Sequence, residues 1–314
     1  MKTAKQNLPK KPVLLLGDVI YDVHHYGKGQ GISIEASIPV ATHQSTTTSY
    51  GGAGLVARNI LALGKPVFFI TVVGGDYYGR ELSAWRNKKL TKRFFIDRNR
   101  TTITKERFII HGKKVLRWNR GDSKPVGGHL EEKVSNEVKR ILLNSSIVLI
   151  SDYRHGFLSQ RLAQRIIKLA HQAGKEVWVD SQVTRDGFSH QWYMGADFIC
   201  VNQKEVESID KHFNTNDLPN SLKRLQKILK VKNVTIKLGA RGSVSLLGKE
   251  YILTSSPRVR EVDAVGAGDA FFAALAKQGE ISPQSLAFAS RWAALATTVS
   301  GTEPPKLSML KKLK

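Results

Sequence analysis

The chain has 314 residues, of which 41% are hydrophobic, enough to bury the core of one large α/β domain or of two small ones. Its 49 Lys and Arg residues outnumber its 26 Asp and Glu residues, which gives a net charge of +23. This charge is explained equally well by a solvated basic surface and by a partner that carries phosphate: a nucleic acid, an anionic membrane surface or a phosphorylated metabolite. No segment approaches the roughly 18 apolar residues of a membrane-spanning helix, which excludes a protein with a helical span.

The single cysteine, Cys200, has no partner for an internal disulfide, and its position in the apolar run FICVN predicts a buried core thiol. The apolar segment that follows the basic residues near the N-terminus is only about five residues long, shorter than the roughly 7–15 of a signal peptide. Both features predict a cytoplasmic protein.

Short apolar runs rich in β-branched residues recur along the chain, with helical patterns between them. The predicted strands are 12–18, 66–76, 146–153, 176–182, 197–203 and 233–239. The predicted helices are 53–64, 131–144, 158–174 and 221–230. Continuous apolar runs are typical of strands buried on both faces of a parallel sheet, so the alternation predicts a doubly wound α/β fold in which helices flank a mostly parallel sheet.

Two segments interrupt this alternation. Residues 20–50 are rich in Tyr, His, Thr, Ser and Gly and predict short strands and loops. Residues 101–122 predict a β-hairpin that turns around Gly112. We expect both segments, approximately 20–50 and 101–120, to form a small β lid inserted within a single domain that spans residues 1–314.

Polar residues end several of the apolar runs. They are Asp18, Asp152, Asp180, Asn202 and Lys237. Any one of them alone is explained as a cap that starts a loop, but ligands of open α/β sheets bind beyond the carboxyl ends of the strands. Five such residues at one sheet edge therefore predict a polar rim around an active site.

The stretch VDAVGAGDAFFAALA, residues 262–276, places glycines and an aspartate before an apolar helix. Glycines allow a ligand to approach the backbone, and the free N–H groups of a helix start attract anions such as a transferring phosphoryl group. Asp269 is suited there to act as a base toward an attacking hydroxyl, although a simple helix cap also explains it. The chain has no G-x-x-x-x-G-K-S/T loop, so a phosphotransferase of the P-loop type is excluded.

Three motifs in this order resemble the ribokinase-like carbohydrate kinases, the PfkB family. They are YGGAGLVARN at 50–59, NQKE at 202–205 and DAVGAGD at 263–269. Within the family, the chain is similar to the bacterial heptose 7-phosphate kinases. The stretches that carry this closer similarity are 14–40, 101–118, 149–158 and 235–247.

The resemblance implies an ATP-dependent kinase that uses Mg²⁺ and transfers the γ-phosphate to a sugar hydroxyl. It implies that Asp269 is the catalytic base and that the backbone amides of Gly266, Ala267 and Gly268 form the anion hole. The residues implied against the sugar are Asp18, Gly51, Gly52 and Asp152. Those implied at the nucleotide are Lys237, Gly239 and Gly242, together with Asn202 and Glu205, which would hold Mg²⁺ and phosphate through water. Asp263 matches the family's monovalent-cation loop, which raises the question of a K⁺ requirement.

Arg107 and Arg117 lie on the predicted lid hairpin, where a guanidinium group offers bidentate geometry for a substrate phosphate. Surface arginines on an exposed strand are an equally good explanation. Lid strands of the related kinases often pair across a two-fold axis, so the resemblance also implies a homodimer.

Departures from the family pattern fall mostly on the sugar side. Leu55 replaces an asparagine, Ser181 and Gln182 replace the last two residues of a D-P-K segment, and Gly31 replaces an arginine. Ile34 and Ser37 replace two prolines, and Ala264 replaces the usual threonine of the signature. The phosphotransfer residues are kept, so we expect an active kinase with an altered acceptor or an altered way of binding it.

Three functional hypotheses remain open from the sequence. The first is a kinase of a sugar phosphate, with heptose 7-phosphate as the leading acceptor. The second is a PfkB-type kinase of an unphosphorylated sugar or a nucleoside. The third is a nucleic-acid-binding protein with a sugar-kinase fold, which the net charge favours but the lack of a nucleic-acid motif and of an exposed aromatic pattern disfavours.

Overall fold

The structure is a computed structural model that describes residues 11–183, 187, 190–299, 301–311 and 313. Its strands are β1 (Val13–Gly17), β2 (Val19–Ile32), β3 (Pro39–Gly52), β4 (Val67–Gly74), β5 (Leu90–Asp97), β6 (Thr104–Ile110), β7 (Lys113–Arg120), β8 (Val148–Asp152), β9 (Val177–Ser181), β10 (Phe198–Asn202), β11 (Asn233–Lys237), β12 (Ser243–Leu247) and β13 (Glu250–Thr254). Its helices are α1 (Ala53–Ala62), α2 (Tyr77–Ala84), α3 (Gly128–Ile141), α4 (Gln160–Gln172), α5 (Gln203–Ile209), α6 (Leu218–Leu229), α7 (Ala267–Gln278), α8 (Pro283–Ala296) and α9 (Leu307–Leu310).

The larger sheet has the strand order β13-β12-β11-β10-β9-β8-β1-β4-β5. Neighbouring strands from β11 to β5 in this order are parallel, while β12 and β13 are added by antiparallel pairing. All six predicted strands belong to this sheet, so the doubly wound architecture expected from the sequence is confirmed. The hairpin of β12 and β13 at one edge, together with β5 at the other, extends the sheet beyond the predicted strands.

Helices cover both faces of the sheet, and β1 shows why its sequence is apolar throughout. Leu14 and Leu16 point into a core formed with α3, α4, α5 and α6, whereas Val13 and Leu15 point into a second core formed with α1, α2, α7 and α8. Successive side chains of a strand face opposite sides, so a central strand buried on both sides has no polar position. Cys200 is fully buried in the second of these cores, as predicted.

The smaller sheet has four strands in the order β3-β2-β6-β7. Residues 101–122 form the predicted hairpin, in which β6 and β7 are antiparallel. Residues 20–50 differ from the prediction of short strands and loops, because β2 and β3 are single strands of 14 residues each. Most of β3 is exposed, so a run of Thr, Ser and His forms a strand without the apolar alternation that marks half-buried strands.

Among the helices of the described residues, none has the length and apolar character needed to cross a bilayer.

Candidate active site

The five polar residues of the predicted rim lie at the ends of five adjacent strands. Asp152, Asn202 and Lys237 are the last residues of β8, β10 and β11, while Asp180 is the last but one of β9 and Asp18 follows β1 directly. The chain leaves β1 toward β4 on one side and returns to β8 on the other, so this edge includes a switch point of the strand order, where α/β sheets bind ligands.

A cavity of about 730 Å³ opens at this edge, between the larger sheet, the smaller sheet and the start of α7. Its charged lining residues are Asp22, Lys105, Arg107, Asp180, Glu205, Lys237, Arg258, Glu261 and Asp269. Glycines and small residues line the remaining wall near α8, among them Gly239, Gly242, Ala293 and Ala294. Pockets of this volume hold substrates and cofactors in other proteins.

Asp269 lies in the first turn of α7 and is buried. The hydroxyl of Tyr153, from the loop after β8, lies 2.7 Å from each of its carboxylate oxygens and donates a hydrogen bond. Burial raises the pKa of Asp269 to about 7, and the Asp180 carboxylate adds to the rise, while Tyr153, Lys237 and Lys105 act in the opposite direction. A carboxylate with a pKa near 7 is well matched to proton transfer at neutral pH.

The backbone before Asp269 turns sharply at Gly266, which caps α7 with φ of 88° and without a side-chain hydrogen bond to the first turn. A Cβ on Gly266 would lie 2.6 Å from Cδ2 of Leu55, so the loop packs tightly on that side chain. The amide of Ala267 donates to the carbonyl oxygen of Ala264 at 3.3 Å. A contact between the Ala267 amide and a phosphoryl group therefore stays a prediction, as it does for Gly266 and Gly268.

Lys237 lies beside the start of α7. Its Nζ is 2.9 Å from Oδ2 of Asp180, and a Cβ on Gly268 would lie 3.3 Å from the same nitrogen. Burial lowers the pKa of Lys237, but the carboxylates of Asp180 and Glu205 outweigh this effect and raise the pKa overall. The ammonium group is therefore charged, and it adds to the positive end of the helix.

Asn202 and Glu205 form a capping box at the start of α5. The backbone N–H and the side-chain amide of Asn202 donate to the two oxygens of Glu205 at 2.7 and 2.6 Å, and Oδ1 of Asn202 accepts from the Glu205 amide at 3.0 Å. Burial raises the pKa of Glu205 to about 7, although Lys237 opposes the shift. The sequence motif is thus explained locally by helix capping, while its carboxylate also lines the cavity.

The described residues contain no cluster of three or more His, Cys, Asp or Glu that could hold a metal unaided. The pair of cavity carboxylates, Asp180 and Glu205, is a donor set that fits Mg²⁺, which retains much of its water and is shared between one or two carboxylates and substrate phosphates. Glu205 and Asp180 are the carboxylates that line the cavity close to Lys237.

Asp18 and Asp152 are buried, and neither is among the described residues that line the cavity. The carboxylate of Asp18 accepts hydrogen bonds from the backbone amides of Tyr153, His155 and Phe157, at 3.0–3.1 Å. Burial raises its pKa, and these hydrogen bonds oppose the rise. Asp18 thus positions the loop that carries Tyr153, and its direct contact with a sugar stays a prediction.

Asp152 accepts hydrogen bonds from the Arg154 amide at 2.8 Å, the Ser181 hydroxyl at 3.0 Å and the Tyr193 hydroxyl at 2.7 Å. Burial, reinforced by the nearby Asp18 carboxylate, raises its pKa to about 6. This network ties together the ends of β8 and β9 behind the cavity wall.

The face of the smaller sheet that meets the cavity carries Asp22, Lys105 and Arg107. Nη1 of Arg107 lies 2.5 Å from Oδ1 of Asp22, and both side chains are largely buried. Gly51 allows this approach, because a Cβ there would lie 1.9 Å from Oδ2 of Asp22. Burial lowers the pKa of Lys105, whose Nζ lies 5.5 Å from the centre of the Tyr153 ring.

Of the remaining residues predicted on the lid, on the sugar side and at the cation loop, some line the cavity and others lie outside it. Gly52 lines the cavity, whereas Gly51 lies outside the lining and leaves room for the Asp22 carboxylate. Arg117 is opposite Arg107 in the β6–β7 register, so both share the face toward the cavity, but Arg117 is exposed and outside the lining. Asp263 lies just before α7 with Oδ2 2.9 Å from Nζ of Lys114, and is likewise outside the lining.

Tyr153, Asp22 and Lys105 are site residues that the sequence analysis did not identify. Asp22 ends the stretch GDVIYD at 17–22, which lies within the similar segment 14–40, so the sequence offered a signal for it. Tyr153 and Lys105 lie in the similar stretches 149–158 and 101–118, but their place in the site depends on contacts with residues far away in the chain.

Comparison with known proteins supports the resemblance drawn from the motifs. Residues 10–308 match the family model described as pfkB family carbohydrate kinase. The bifunctional protein HldE of a Nitratiruptor species is 31% identical over 268 residues, which cover 85% of this chain and 56% of that protein. The chain spans about half the length of the first curated relatives that it matches.

Solved structures show the same fold. Arabidopsis thaliana ribokinase, complexed with ribose and ATP, superposes with a TM-score of 0.72 at 21% identity and covers 97% of this chain and 99% of its own. Phosphofructokinase-2 from Escherichia coli, in complex with potassium, superposes with a TM-score of 0.79 at 19% identity and covers 96% of this chain and 97% of its own.

Proposed function

Because this chain belongs to the pfkB family of carbohydrate kinases, we propose that it transfers the γ-phosphate of ATP to a hydroxyl of a heptose 7-phosphate or a closely related sugar phosphate. In the pathway implied by the resemblance, this hydroxyl is the anomeric one and the product leads to ADP-heptose. The chemistry expected of such an enzyme is in-line attack by the hydroxyl on the phosphoryl group.

The observation that carries the proposal is the position of Asp269. Its carboxylate lines the cavity at the start of α7, and burial raises its pKa to about 7. In its ionised form it accepts the proton of the attacking hydroxyl, while the helix start beside it stabilises the charge that develops on the phosphoryl group. Lys237 adds a fixed positive charge next to Gly268.

The nucleotide is assigned to the part of the cavity lined by Lys237, Gly239 and Gly242, with small residues of α8 opposite. Asn202 and Glu205 border the same region, and Glu205 would hold Mg²⁺ through water. When bound, Mg²⁺ neutralises charge on the phosphates.

The acceptor is assigned to the part of the cavity beneath the smaller sheet. Lys105 and Arg107 line that wall, and although Arg107 is paired with Asp22, both side chains offer N–H donors to a phosphorylated sugar. The heptose assignment is supported by the motifs at 14–40 and 101–118 and by relatives named HldE at about 30% identity.

Three departures from the family pattern line the cavity, namely Leu55, Gln182 and Ala264. Leu55 presents an apolar surface where an asparagine would form a hydrogen bond, and Gln182 cannot supply a positive charge. Gly31 is exposed at the far end of β2 and outside the lining. The proposal therefore includes an acceptor that is held with fewer polar contacts than in the standard pattern.

We also propose that the smaller sheet mediates a homodimer. Large apolar side chains are exposed on it, including Ile32, Val115, Leu116 and Trp118. Strand edges and apolar surfaces of this kind are normally covered by a partner.

The direct test is an acceptor screen with ATP and Mg²⁺, in which ADP release is measured. Matched pairs separate the hypotheses: D-glycero-D-manno-heptose 7-phosphate against the unphosphorylated heptose, and ribose 5-phosphate against ribose. We expect the phosphorylated heptose to have the highest kcat/KM. A preference for the unphosphorylated member of each pair would overturn the sugar-phosphate assignment and favour the second hypothesis of the sequence analysis.

The nucleic-acid hypothesis is tested separately by binding of random duplex and single-stranded DNA at rising salt. Purely electrostatic association weakens steeply with salt. Binding that survives physiological salt would support that hypothesis.

A further inference from the structure

An ion pair links the smaller sheet to the loop that precedes α7. Nζ of Lys114, on β7, donates to Oδ2 of Asp263 at 2.9 Å across a sequence separation of 149 residues. Asp263 accepts the amide of Val265 on its other oxygen at 3.2 Å. Both oxygens of this carboxylate therefore have partners within the protein.

The same loop is fixed to the end of α8. The amides of Val262 and Asp263 donate to the carbonyl oxygen of Thr297 at 2.8 and 3.0 Å. Gly266, which caps α7, follows three residues after Asp263. Residues 266–269, which contain the proposed base Asp269, are called the catalytic turn. The contacts of the Asp263 side chain thus help to fix the backbone that leads into this turn.

Asp263 matches the loop at which the family resemblance implies a monovalent cation. A resident potassium ion would have to share this carboxylate with the Lys114 ammonium group on one oxygen and the Val265 amide on the other. A second cation at this point would also be repelled by the charge of Lys114. The residues present do not fit a potassium ion alongside Lys114.

An ammonium group carries the same single positive charge as potassium, and that of Lys114 donates a hydrogen bond to Oδ2 of Asp263. We propose that Lys114 is an internal cation that takes the place of a monovalent metal ion at this loop, so that phosphoryl transfer by this chain is independent of K⁺. The inference rests on the proposed kinase function, whose catalytic turn this loop supports.

Electrostatics at the pair agrees with this assignment. Burial favours the neutral form of Asp263, yet the hydrogen bond from Lys114, the Val265 amide and the charges of Lys114 and Arg107 lower its pKa below the usual value. His24 also faces the pair, and burial together with Arg107 lowers its pKa, so the imidazole contributes no competing charge at neutral pH. Asp263 is therefore an ionised partner for Lys114 throughout the neutral range.

Because Lys114 belongs to the smaller sheet, the internal cation also links that sheet to the catalytic turn. A metal ion would stabilise the turn wherever the sheet lay. Lys114 does so only when β7 is close to the loop before α7, which joins closure over the acceptor to the shape of the phosphate site.

The experiment compares the full-length protein with Lys114→Met, which removes the charge and keeps most of the side-chain length. Lys113→Met is the matched control, because Lys113 is the neighbouring exposed lysine on β7. ADP release is measured in KCl, NH₄Cl and choline chloride at equal ionic strength. We expect wild type and Lys113→Met to show equal rates in the three salts. We expect Lys114→Met to be about fivefold slower in choline and restored by K⁺ or NH₄⁺.

A second readout needs neither sugar nor catalysis. Thermal unfolding is followed in the same salts without substrates, and only Lys114→Met is expected to gain a Tm increase specific to K⁺ and NH₄⁺. Asp263→Asn removes the anionic partner of both cations and should lose activity without rescue by K⁺. Asparagine retains the side-chain oxygen that accepts the Val265 amide, so this variant also provides a test if Lys114→Met folds poorly.

Stimulation of the wild type by K⁺ would overturn the inference, as would a Lys114→Met protein that is indifferent to K⁺ in both measurements. Failure of the acceptor screen would leave the thermal measurement intact, so the two proposals fail independently.

Discussion

The hydroxyl of Tyr153 lies 2.7 Å from both carboxylate oxygens of Asp269, so a phenol covers the atoms that would receive a proton from the acceptor. The phenol stays protonated, because burial and the adjacent Asp269 carboxylate raise the pKa of Tyr153 well above its usual value. It therefore acts as a donor that stabilises ionised Asp269, and an incoming sugar hydroxyl must share this carboxylate with it.

This contact predicts the pH dependence of the reaction. Only ionised Asp269 accepts a proton, so kcat/KM should fall as pH falls through about 7, the pKa to which burial raises this group. Tyr153→Phe removes a hydrogen bond that lowers that pKa, so the acidic limb should move to higher pH. The pH–rate profiles of the two proteins check this, with Tyr251→Phe on β13 as a control. Profiles that are flat between pH 5 and 8 would argue against Asp269 as the base.

Replacement of Asp269 by asparagine should abolish most turnover and leave ATP binding in place. The side chain keeps its size and its place in α7 but can no longer take a proton, so kcat should fall by roughly 10²–10⁴-fold. Asp217→Asn, at the exposed cap of α6, is the matched control because asparagine caps helices equally well. Calorimetric titration with ATP and a coupled ADP assay measure the two properties. Turnover near the wild-type rate would remove Asp269 from the mechanism.

Replacement of Arg117 tests phosphate recognition without breaking a buried ion pair. Arg107 is paired with the buried Asp22, so its removal would leave an uncompensated carboxylate and complicate the result. Arg117 is exposed on the same face of the hairpin. Arg117→Ala should raise KM by about fivefold for a phosphorylated acceptor and leave an unphosphorylated one unchanged.

Arg120→Ala is the control for this substitution, since it removes the same charge from β7 at a position that faces the opposite side of the sheet. Equal effects of Arg117→Ala and Arg120→Ala on KM would indicate a general effect of surface charge.

Leu55 is the departure from the family pattern with the clearest structural consequence. It is 3% exposed and packs against the loop at Gly266, so Leu55→Asn places an amide in a largely apolar site and should lower the free energy of unfolding by about 1–3 kcal/mol. Leu55→Met conserves volume and should cost less than about 1.5 kcal/mol. Chemical denaturation measures both, and the acceptor screen repeated on Leu55→Asn shows whether the restored amide changes the preferred sugar.

Asp18 is predicted to act through Tyr153. Asp18→Asn replaces one acceptor oxygen with an NH₂ group that faces backbone donors, which costs roughly 1–3 kcal/mol for the lost hydrogen bonds. We expect a lower Tm and a lower kcat with a shifted acidic limb, because the loop that carries Tyr153 is released. An increase in KM alone would instead support the direct sugar contact implied by the family resemblance.

Much of the fold was predictable because its signals are local. A strand buried on both faces must be apolar at every position, and this requirement is visible in the runs that became β1, β4, β8, β9, β10 and β11. The strands β2 and β3 were predicted as short because the run of Thr, Ser and His in β3 is exposed and carries no alternation. Their length comes from pairing with each other over 13 residue pairs, which no local window contains.

The candidate site likewise contains residues that local motifs predict and contacts that only the tertiary structure shows. Asp269, Asn202 and Glu205 belong to motifs, because a tight turn into a helix and a capping box each need particular residues at short spacing. The sequence by itself therefore determined the fold class, the polar rim and the identity of the proposed base. The tertiary structure alone decided which groups meet: Tyr153 with Asp269 over 116 residues, Arg107 with Asp22 over 85, and Lys114 with Asp263 over 149. Short-range sterics and hydrogen bonding leave a pattern in the chain, whereas contacts between distant segments arise only when the packed core has brought them together.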